Sequence, residues 1–290
     1  MDAGEAQSIA RLMGAAGTDG FGAALDALAR RQAAFDMSVL LVYSPRRRPV
    51  LIHDGYTDRI SQPALDAYLD HAYLLDPFYV ASVGGHPPGL WRMGDLAPDS
   101  FFASGFMTAP DVHPCISTEA GTLAEEVGFL IPLQDGVTAT YSLMRVVQGQ
   151  GFSPAEFEAL RAIEPILRRS IADEWSLRQP PQNQGICAGQ DMETLFAALF
   201  SDCLTVTQRR VVSLLLRGHS ALSIAMTMGI SEGTAKNHRA NIYKRLNISS
   251  QGELFRLFID HLGRRPAATA PALGNRPRPA GGIAEGLPAQ

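Results

Sequence analysis

Lys236 and Lys244 are the only lysines in the 290-residue chain, and they stand eight residues apart in one polar segment. On an α-helix, that spacing brings both ammonium groups to the same side, away from the apolar positions Ala235 and Ile242. Arg239 lies close to them in the same segment. Flexible cations concentrated on one side of a helix are suited to the phosphates and base edges of DNA. The segment therefore predicts a helix that binds nucleic acid.

Reactive side chains elsewhere form a much weaker pattern. Cys115 follows His113 by two residues, which brings a thiol near an imidazole, but no third group is evident that would orient the imidazole for catalysis. The other cysteines, Cys187 and Cys203, are far away and lack the CxxC spacing of metal sites. We therefore expect no catalytic residue, no metal ligand and no cofactor, and we expect thiols in a reducing compartment.

Capping residues mark the helices that would position the two lysines. Thr205, Ser220 and Ser231 each precede a run of apolar residues with helical spacing and are predicted N-caps. Gly218 and Gly229 follow the first two runs, where glycine can adopt the left-handed conformation that ends a helix. Only one apolar residue separates Gly229 from Ser231, a connection typical of a helix-turn-helix, whose later helix enters the major groove of DNA.

A fourth helix is predicted to open at Ser250, which forms a capping box with Glu253. This helix carries the apolar residues Leu254, Leu257 and Phe258. Since four short helices are not expected to bury all three, we expect part of this apolar surface to close a two-fold dimer.

Charge is distributed unevenly along the chain, whose net charge is −4. Residues 1–203 contain 13 arginines and 25 acidic residues, a net charge of −12, whereas residues 204–262 carry +5 and the remaining tail +3. A small basic segment behind a larger acidic one is typical of a polyanion-binding module attached to a body that does not bind polyanions.

Composition divides the chain into four parts. Residues 1–176 are predicted to form a sensor domain, the polar, proline-containing residues 177–190 a linker, residues 191–262 a DNA-binding domain, and the Pro- and Ala-rich residues 263–290 a disordered tail. No segment approaches the ~20 apolar residues that a membrane span needs, and the N-terminus lacks the pattern of a signal peptide. We therefore expect a cytoplasmic protein.

The N-terminal part is predicted to be an α/β sandwich with an antiparallel sheet. Residues 37–43 and 50–53 are predicted to pair as strands, and residues 127–133 and 137–147 flank Asp135-Gly136, a hairpin turn signal. Predicted helices lie at residues 20–34, at residues 63–73 and after Ser153, which opens a capping box with Glu156. The expected class is α+β, with this domain followed by an all-α, four-helix helix-turn-helix domain.

The C-terminal segment resembles the LuxR-type (NarL/FixJ) helix-turn-helix domain. The resemblance rests on Ile224-Ala225, Gly229-Ile230-Ser231, Thr234-Ala235-Lys236-Asn237-His238 and Asn241-Ile242-Tyr243-Lys244-Arg245-Leu246. It implies that Thr234 and Lys236 contact DNA at the start of the recognition helix, and that the last helix is the dimer contact. The DNA-binding residues that we expect are Ser231, Thr234, Lys236, Asn237, His238, Arg239 and Lys244.

The N-terminal part resembles the acyl-homoserine-lactone-binding domains. Asp76 and Trp91 are 15 residues apart, as in that family, and Gly128 begins a Gly-x-x-x-Pro strand like the family's own. The resemblance implies that Asp76 accepts a hydrogen bond from a ligand's amide N–H, that Tyr68 approaches the acyl carbonyl, and that Trp91 packs against the ligand. The candidate ligand-binding residues are therefore Tyr68, Asp76, Trp91 and Gly128.

Several interpretations of the N-terminal part are open. A phosphoacceptor receiver domain is excluded, because residues 1–203 contain no lysine and the strand pattern is antiparallel. Asp76 could instead cap a helix that begins at Pro77, with Trp91 a core residue. A third interpretation is a site for a small molecule of different chemistry. Ala64 stands where the resembled family has the indole that donates to the lactone carbonyl, so simple homoserine lactones are expected to bind poorly.

The sequence thus predicts a DNA-binding transcription regulator controlled by a signal that its N-terminal domain senses. A strict quorum-sensing receptor for acyl-homoserine-lactone-like molecules is the alternative, and a ligand-binding protein or enzyme without DNA activity is less favoured. Double-stranded DNA and a second copy of the chain are the expected partners. A small-molecule ligand and RNA polymerase are further candidates, and no membrane partner is expected.

Overall fold

The computed structural model describes residues 2–44, 47–56, 60, 62–70, 72–103, 123–146, 151–178, 196 and 198–263. Of the predicted tail, only residue 263 is among the described residues. Of the predicted linker, only residues 177 and 178 are. His113, Cys115 and Cys187 also lie outside them, whereas Cys203 is exposed and unpaired. In the part of the chain that is described, no helix is both long and apolar enough to cross a membrane.

One five-stranded sheet forms the centre of the N-terminal part, with the strand order β2-β1-β5-β4-β3 and antiparallel pairing throughout. The strands are β1 (Met37–Tyr43), β2 (Val50–Gly55), β3 (Gly89–Arg92), β4 (Leu123–Pro132) and β5 (Thr138–Val146). The predicted antiparallel sheet and the α+β class are thereby confirmed. The turn between β4 and β5 has positive φ at Asp135 (58°) and Gly136 (72°), as the hairpin signal predicted.

In the described residues, six α-helices accompany the sheet: α1 (Ala3–Ala15), α2 (Phe21–Ala29), α3 (Gln62–Asp70), α4 (Pro77–Val83), α5 (Met93–Leu96) and α6 (Pro154–Leu177). Helices α1, α2 and α6 bury the sheet face that carries Val127, Phe129 and Tyr141. The opposite face, which carries Val39 and Leu41, packs against α3, α4 and α5. Because side chains alternate along a strand, each strand contributes to both apolar layers.

Between residues 204 and 263, all of them described, the chain forms four helices: α7 (Val206–Leu216), α8 (Ala221–Met228), α9 (Glu232–Leu246) and α10 (Gln251–Gly263). The side chains of Thr205, Ser220 and Ser231 cap α7, α8 and α9 as predicted. Gly218 and Gly229 have φ of 90° and 66°, the left-handed conformation expected after α7 and α8. The helix-turn-helix predicted from these local signals is therefore present.

As expected, the chain does not bury all three of the apolar residues Leu254, Leu257 and Phe258 of α10. Leu254 and Phe258 are fully buried inside the chain, and only Leu257 is partly exposed. The extra cover comes from Phe196, a residue before the four helices, whose ring stacks on that of Phe258 with 5.7 Å between centroids. The apolar residues of α10 therefore complete the core of their own chain before they contribute to any dimer.

Candidate functional site

The polar helix α9 is held in place at its start and along its inner side. The Ser231 hydroxyl accepts a hydrogen bond from the Thr234 backbone N–H (3.1 Å) and lies 2.8 Å from the Thr234 hydroxyl. Ala235 and Ile242 are buried in the helical core. These contacts fix both the beginning and the rotation of α9, so its outer side faces solvent.

The predicted DNA-binding residues lie together on α9 and at its N-cap. Six of the seven are exposed, and His238 is half-buried. The Lys236 ammonium is 2.7 Å from the Glu232 carboxylate, an exposed pair one turn apart on the same helix. Such pairs contribute about 0.3–0.5 kcal/mol, so Lys236 can exchange this partner for a phosphate at little cost.

The structure adds Asn241 to this surface, a residue that sequence reasoning did not single out as a DNA contact. Asn241 is exposed one turn after Asn237 and lines a shallow groove with Lys244, Arg245 and Gln208. The Arg245 guanidinium donates to the Gln208 side-chain oxygen (3.2 Å), which ties α9 to α7. Asn241 follows Asn237 by four residues, a spacing that brings both side chains to the same side of a helix, and this spacing could have identified it.

A second candidate site is a small cavity of about 10 Å³ between the sheet and helices α3 and α4. That volume accommodates roughly one water-sized group. Its lining is unusually polar for the interior of a domain and comprises Val39, Leu41, Tyr43, Tyr56, Tyr68, Asp76, Phe78, Glu126, Thr140 and Ser142. Two carboxyl groups and three phenols therefore surround a space that excludes bulk water.

Asp76 uses its two carboxylate oxygens for different purposes. Oδ1 accepts a hydrogen bond from the Phe78 backbone N–H (2.8 Å) and caps α4. Oδ2 accepts from the Tyr68 hydroxyl (2.7 Å), which lies 3.2 Å from the Tyr43 hydroxyl. Burial and the charge of Asp76 raise the pKa of Tyr68 and of Tyr43 well above the usual value, so both phenols keep their protons. The two interpretations of Asp76, helix cap and cavity residue, thus both describe its position.

Glu126 is the unexpected member of the cavity. Its side chain is 4% exposed, and among the described residues neither Glu126 Oε2 nor Thr140 Oγ1 has a hydrogen-bond partner. Burial raises the pKa of Glu126 well above its usual value and the Asp76 carboxylate raises it further, while a hydrogen bond with Ser142 lowers it. Burial and the neighbouring charge therefore favour the protonated, neutral form of Glu126, which is able to donate a hydrogen bond into the cavity.

Trp91 and Gly128 occupy a different place from Tyr68 and Asp76. They face each other across the β3–β4 pair, and neither lines the cavity. The Trp91 indole N–H donates to the Pro87 carbonyl (2.9 Å), and its ring is in edge contact with His86. The structure therefore brings two of the four predicted ligand residues together and places the other two beside the cavity wall.

Gly128 has a packing role that leads to a testable prediction. A Cβ at this position would lie 2.6 Å from the ring of Phe78, which is itself buried against the sheet. We expect Gly128→Ala to lower the free energy of unfolding by about 1–3 kcal/mol, the usual effect of overpacking, as measured by urea denaturation. Gly94→Ala is the matched control, because nothing lies within 4 Å of its Cβ. Equal stability of the two variants would contradict the packing role.

Among the described residues, no group of three or more His, Cys, Asp or Glu side chains is arranged to hold a metal ion. The cavity has oxygen donors from only two acidic residues, Asp76 and Glu126. Its chemistry is therefore that of hydrogen bonding, with one charged acceptor and one neutral acid.

Comparison with known proteins gives a consistent result for both parts of the chain. Residues 202–258 match the GerE model, described as bacterial regulatory proteins of the luxR family. The chain is 31% identical over 197 residues, 66% of its length, to a protein of Aeromonas salmonicida named as an HTH-type transcriptional regulator in the exeN 3' region, and this match covers 96% of that protein.

Two further similarities are confined to single parts of the chain. Over 61 residues it is 41% identical to the transcriptional regulatory protein MctR of Rhizobium johnstonii, which is 21% of this chain and 28% of that protein. The crystal structure of the VqsR LBD domain from Pseudomonas aeruginosa superposes on 61% of the chain and over its own full length. The TM-score is 0.52 and the sequence identity 18%, so the likeness is one of fold.

Proposed function

The chain belongs to the LuxR family of bacterial regulatory proteins, and on this premise we propose that α9 is the helix that reads DNA and that a small molecule in the N-terminal cavity controls this binding. The chain is a DNA-binding transcription regulator, and its N-terminal part has an autoinducer-binding-like fold. Within it, we propose residues 1–176 as the sensor domain, 177–190 as the linker and 191–262 as the DNA-binding domain.

One observation carries the proposal for DNA. Helix α9 presents both lysines of the chain on a solvent-exposed side, and its opposite side is anchored in a closed helical core. In a helix-turn-helix, the later helix lies in the major groove, where its exposed side chains reach base edges and phosphates. We propose that Ser231, Thr234, Lys236, Asn237, His238, Arg239 and Lys244 make these contacts, joined by Asn241.

The test is DNA binding by the full chain to a duplex of mixed sequence, followed as salt is raised. Each phosphate contact contributes about −0.9 to the slope of log affinity against log salt. We expect binding at low salt and a slope that corresponds to several contacts per protomer. Absence of binding at the lowest salt concentration at which the protein stays folded would overturn the proposal.

We propose that the protein acts as a homodimer in the cytoplasm. The apolar residues Leu257 and Ile259 of α10 are partly exposed after the core of the chain is complete, which leaves a limited surface for a second copy. A two-fold dimer predicts two half-sites about one helical turn apart in a footprint on a selected operator. A single, unrepeated half-site at saturating protein would indicate a monomer.

The cavity supports a ligand that is neutral at its buried end. The carboxylate of Asp76 disfavours an anion. The protonated form of Glu126, which burial favours, offers a donor, and Thr140 offers a hydroxyl that has no partner among the described residues. A ligand group that accepts from Glu126 and donates to Asp76 would satisfy both. Because the cavity now accommodates only a water-sized group, the ligand must displace part of the surrounding wall. We propose that Tyr68 and Asp76 contact the ligand and that Trp91 and Gly128 shape the adjacent wall.

Asp76→Asn separates the two roles of this carboxylate. Asparagine is almost as good a helix N-cap as aspartate, so the cap of α4 should be retained. Loss of the charged acceptor should weaken ligand binding by about 1.5–3 kcal/mol, the usual contribution of a hydrogen bond to a charged group. The readout is the response of a target promoter in cells at normal protein abundance, with the exposed Asp19→Asn as control. An unaltered response would assign Asp76 to the helix cap alone.

A further inference from the structure

The N-terminal cavity contains two buried groups whose hydrogen-bonding capacity is not fully used. Glu126 and Thr140 are 4% and 3% exposed, and neither Glu126 Oε2 nor Thr140 Oγ1 has a hydrogen-bond partner among the described residues. A buried polar atom without a partner lowers stability, and a ligand that supplies the partner recovers that loss. The two groups therefore indicate a contact point for a ligand that the four residues predicted from the sequence do not include.

Both groups lie on the cavity face of the β4–β5 hairpin. In its register, Gly128 is opposite Ser142, and Glu126 and Thr140 each lie two residues from this pair, on opposite sides of it. The period of two along a strand keeps all four residues on one face of the sheet. Asp76, which caps α4, is close enough to raise the pKa of Glu126. A carboxylate and an acid whose protonated form is favoured therefore border the same small space.

The hydrogen-bonding pattern of this space restricts what can bind in it. Protonated Glu126 has one O–H to donate, whereas the Asp76 carboxylate only accepts. Each carboxylate oxygen can accept two hydrogen bonds, so a ligand N–H can join the Tyr68 hydroxyl at Oδ2 or take its place. None of the described residues that line the cavity is a lysine, arginine or histidine, so a ligand anion would meet Asp76 without a counter-charge.

A primary carboxamide has the pattern that this space requires. Its carbonyl oxygen accepts hydrogen bonds, its amino group donates two, and the group carries no charge. The Thr140 hydroxyl can donate to such a group or accept from it, because a hydroxyl does both. A carboxamide could therefore pair with Glu126, Asp76 and Thr140 at once and leave no ligand atom unpaired.

The walls of the cavity favour an aromatic ligand. Four aromatic side chains line it, among them Tyr43. The Tyr43 ring also stacks on Tyr73, with 6.2 Å between centroids, and makes an edge contact with Tyr79 at 5.2 Å. Tyr73 and Tyr79 are partly exposed, so this cluster of rings extends from the cavity to the surface. A planar ligand ring can replace one of these two rings against Tyr43 while its head group occupies the cavity.

We propose that the cavity binds an uncharged aromatic carboxamide, whose carbonyl accepts a hydrogen bond from Glu126 and whose amino group donates to Asp76. The inference rests on the proposed ligand site and names the class of its ligand. Three simpler head groups each fail at one contact. A carboxylate is repelled by Asp76, an ester has no N–H for Asp76, and an ammonium has no acceptor for the Glu126 O–H.

The test measures the binding of benzamide to the full chain by ligand-observed NMR at pH 6. Benzoate, methyl benzoate and benzylammonium provide the three other head groups on the same ring. We expect the dissociation constant of benzamide to be lower than that of each other probe by about fivefold or more, the usual effect of one hydrogen bond. Equal or tighter binding of any of the three, or no detectable binding of benzamide, would overturn the proposed class.

Variants at Glu126 test its part in this selection. Glu126→Gln keeps a donor and a similar shape, so the affinity for benzamide should stay within about threefold, whereas Glu126→Met removes the donor and should lower it about five- to tenfold. Glu158→Met, at an exposed position of α6, is the matched control and should bind benzamide as the unmodified chain does. The unfolding temperature of each variant without probe shows that it is folded.

Equal affinities of Glu126→Met and Glu158→Met would contradict the role of Glu126. A loss in Glu126→Gln as large as that in Glu126→Met would also contradict it, because the donor would then not decide binding. The comparison of the four probes uses the unmodified chain and so does not depend on the folding of any variant.

The promoter response of Asp76→Asn separates this inference from the proposed function, because it requires no knowledge of the ligand. If that response is lost and benzamide does not bind, the ligand site stands and its proposed class is overturned. If the response is unaltered and benzamide does not bind, the proposed ligand site fails as well. DNA binding by the full chain is measured separately and is affected by neither result.

Discussion

Replacing both Lys236 and Lys244 with alanine should remove most of the DNA affinity of the chain and leave its unfolding temperature nearly unchanged. Both side chains are exposed, and their only described ion pair is the weak one between Lys236 and Glu232, so folding should not depend on them. If each lysine contacts one phosphate, a dimer loses four contacts. The slope of log affinity against log salt should then fall in magnitude by about four, which corresponds to roughly a thousandfold loss near 0.15 M salt.

The single variants should each reduce the slope by about two per dimer. A matched control replaces Arg161 and Arg169 of α6 with alanine, which removes the same total charge from exposed positions of the sensor domain. That control should bind DNA as the unmodified chain does. If the two double variants had the same affinity and slope, α9 would not be the DNA-binding helix.

Glu126→Gln should make the protein more stable at pH 8 than the unmodified chain, and the two should be similar at pH 5. The folded pKa of Glu126 lies well above the usual value of 4.5, so folding favours the protonated form. The stability that this form provides is complete below pH 4.5 and is lost as pH rises from there through the folded pKa. Glutamine keeps the size and hydrogen-bonding capacity of the neutral acid without titrating.

If the pKa of Glu126 is higher by one in the folded than in the unfolded chain, the free energy of unfolding at high pH is lower by about 1.4 kcal/mol. Urea denaturation at pH 5 and pH 8 measures this difference directly. The exposed Glu158→Gln provides the comparison, because loss of a solvated carboxylate should alter the pH profile little. Identical profiles for Glu126→Gln and the unmodified chain would show that Glu126 is ionised in the folded protein.

Local signals explain why the C-terminal module could be predicted closely. The N-caps Thr205, Ser220 and Ser231 act within three residues of themselves, so their effect does not depend on the rest of the fold. For the opposite reason, the sequence did not indicate which apolar residues of α10 are buried, as Leu254 and Phe258 are. Phe196 lies more than fifty residues earlier in the chain, and its cover over α10 arises only from the tertiary fold.

The cavity shows where sequence reasoning ends in the N-terminal domain. Tyr68 and Asp76 were identified through a resemblance. Whether Glu126 lies in the cavity depends on which face of β4 turns inward. That face follows from the pairing of β4 with β5 and β3, and the four-residue β3 is too short for an alternating pattern to be recognised. The choice between helix cap and cavity residue at Asp76 was also not decidable from residue types, because one carboxylate has an oxygen for each role.

The confinement of both lysines to α9 has a practical consequence for anyone who handles this protein. Amine-directed reagents, such as those used for surface coupling, reductive methylation or crosslinking, react with α-amino groups and with exposed lysines, and both exposed lysines of this chain stand on the proposed DNA-facing side. A sensor chip loaded through amines would therefore tether every molecule that couples through a lysine by that helix and give too low a DNA affinity. Immobilising the duplex instead avoids the problem. The same selectivity makes the loss of lysine labelling upon adding DNA a direct reporter of occupancy.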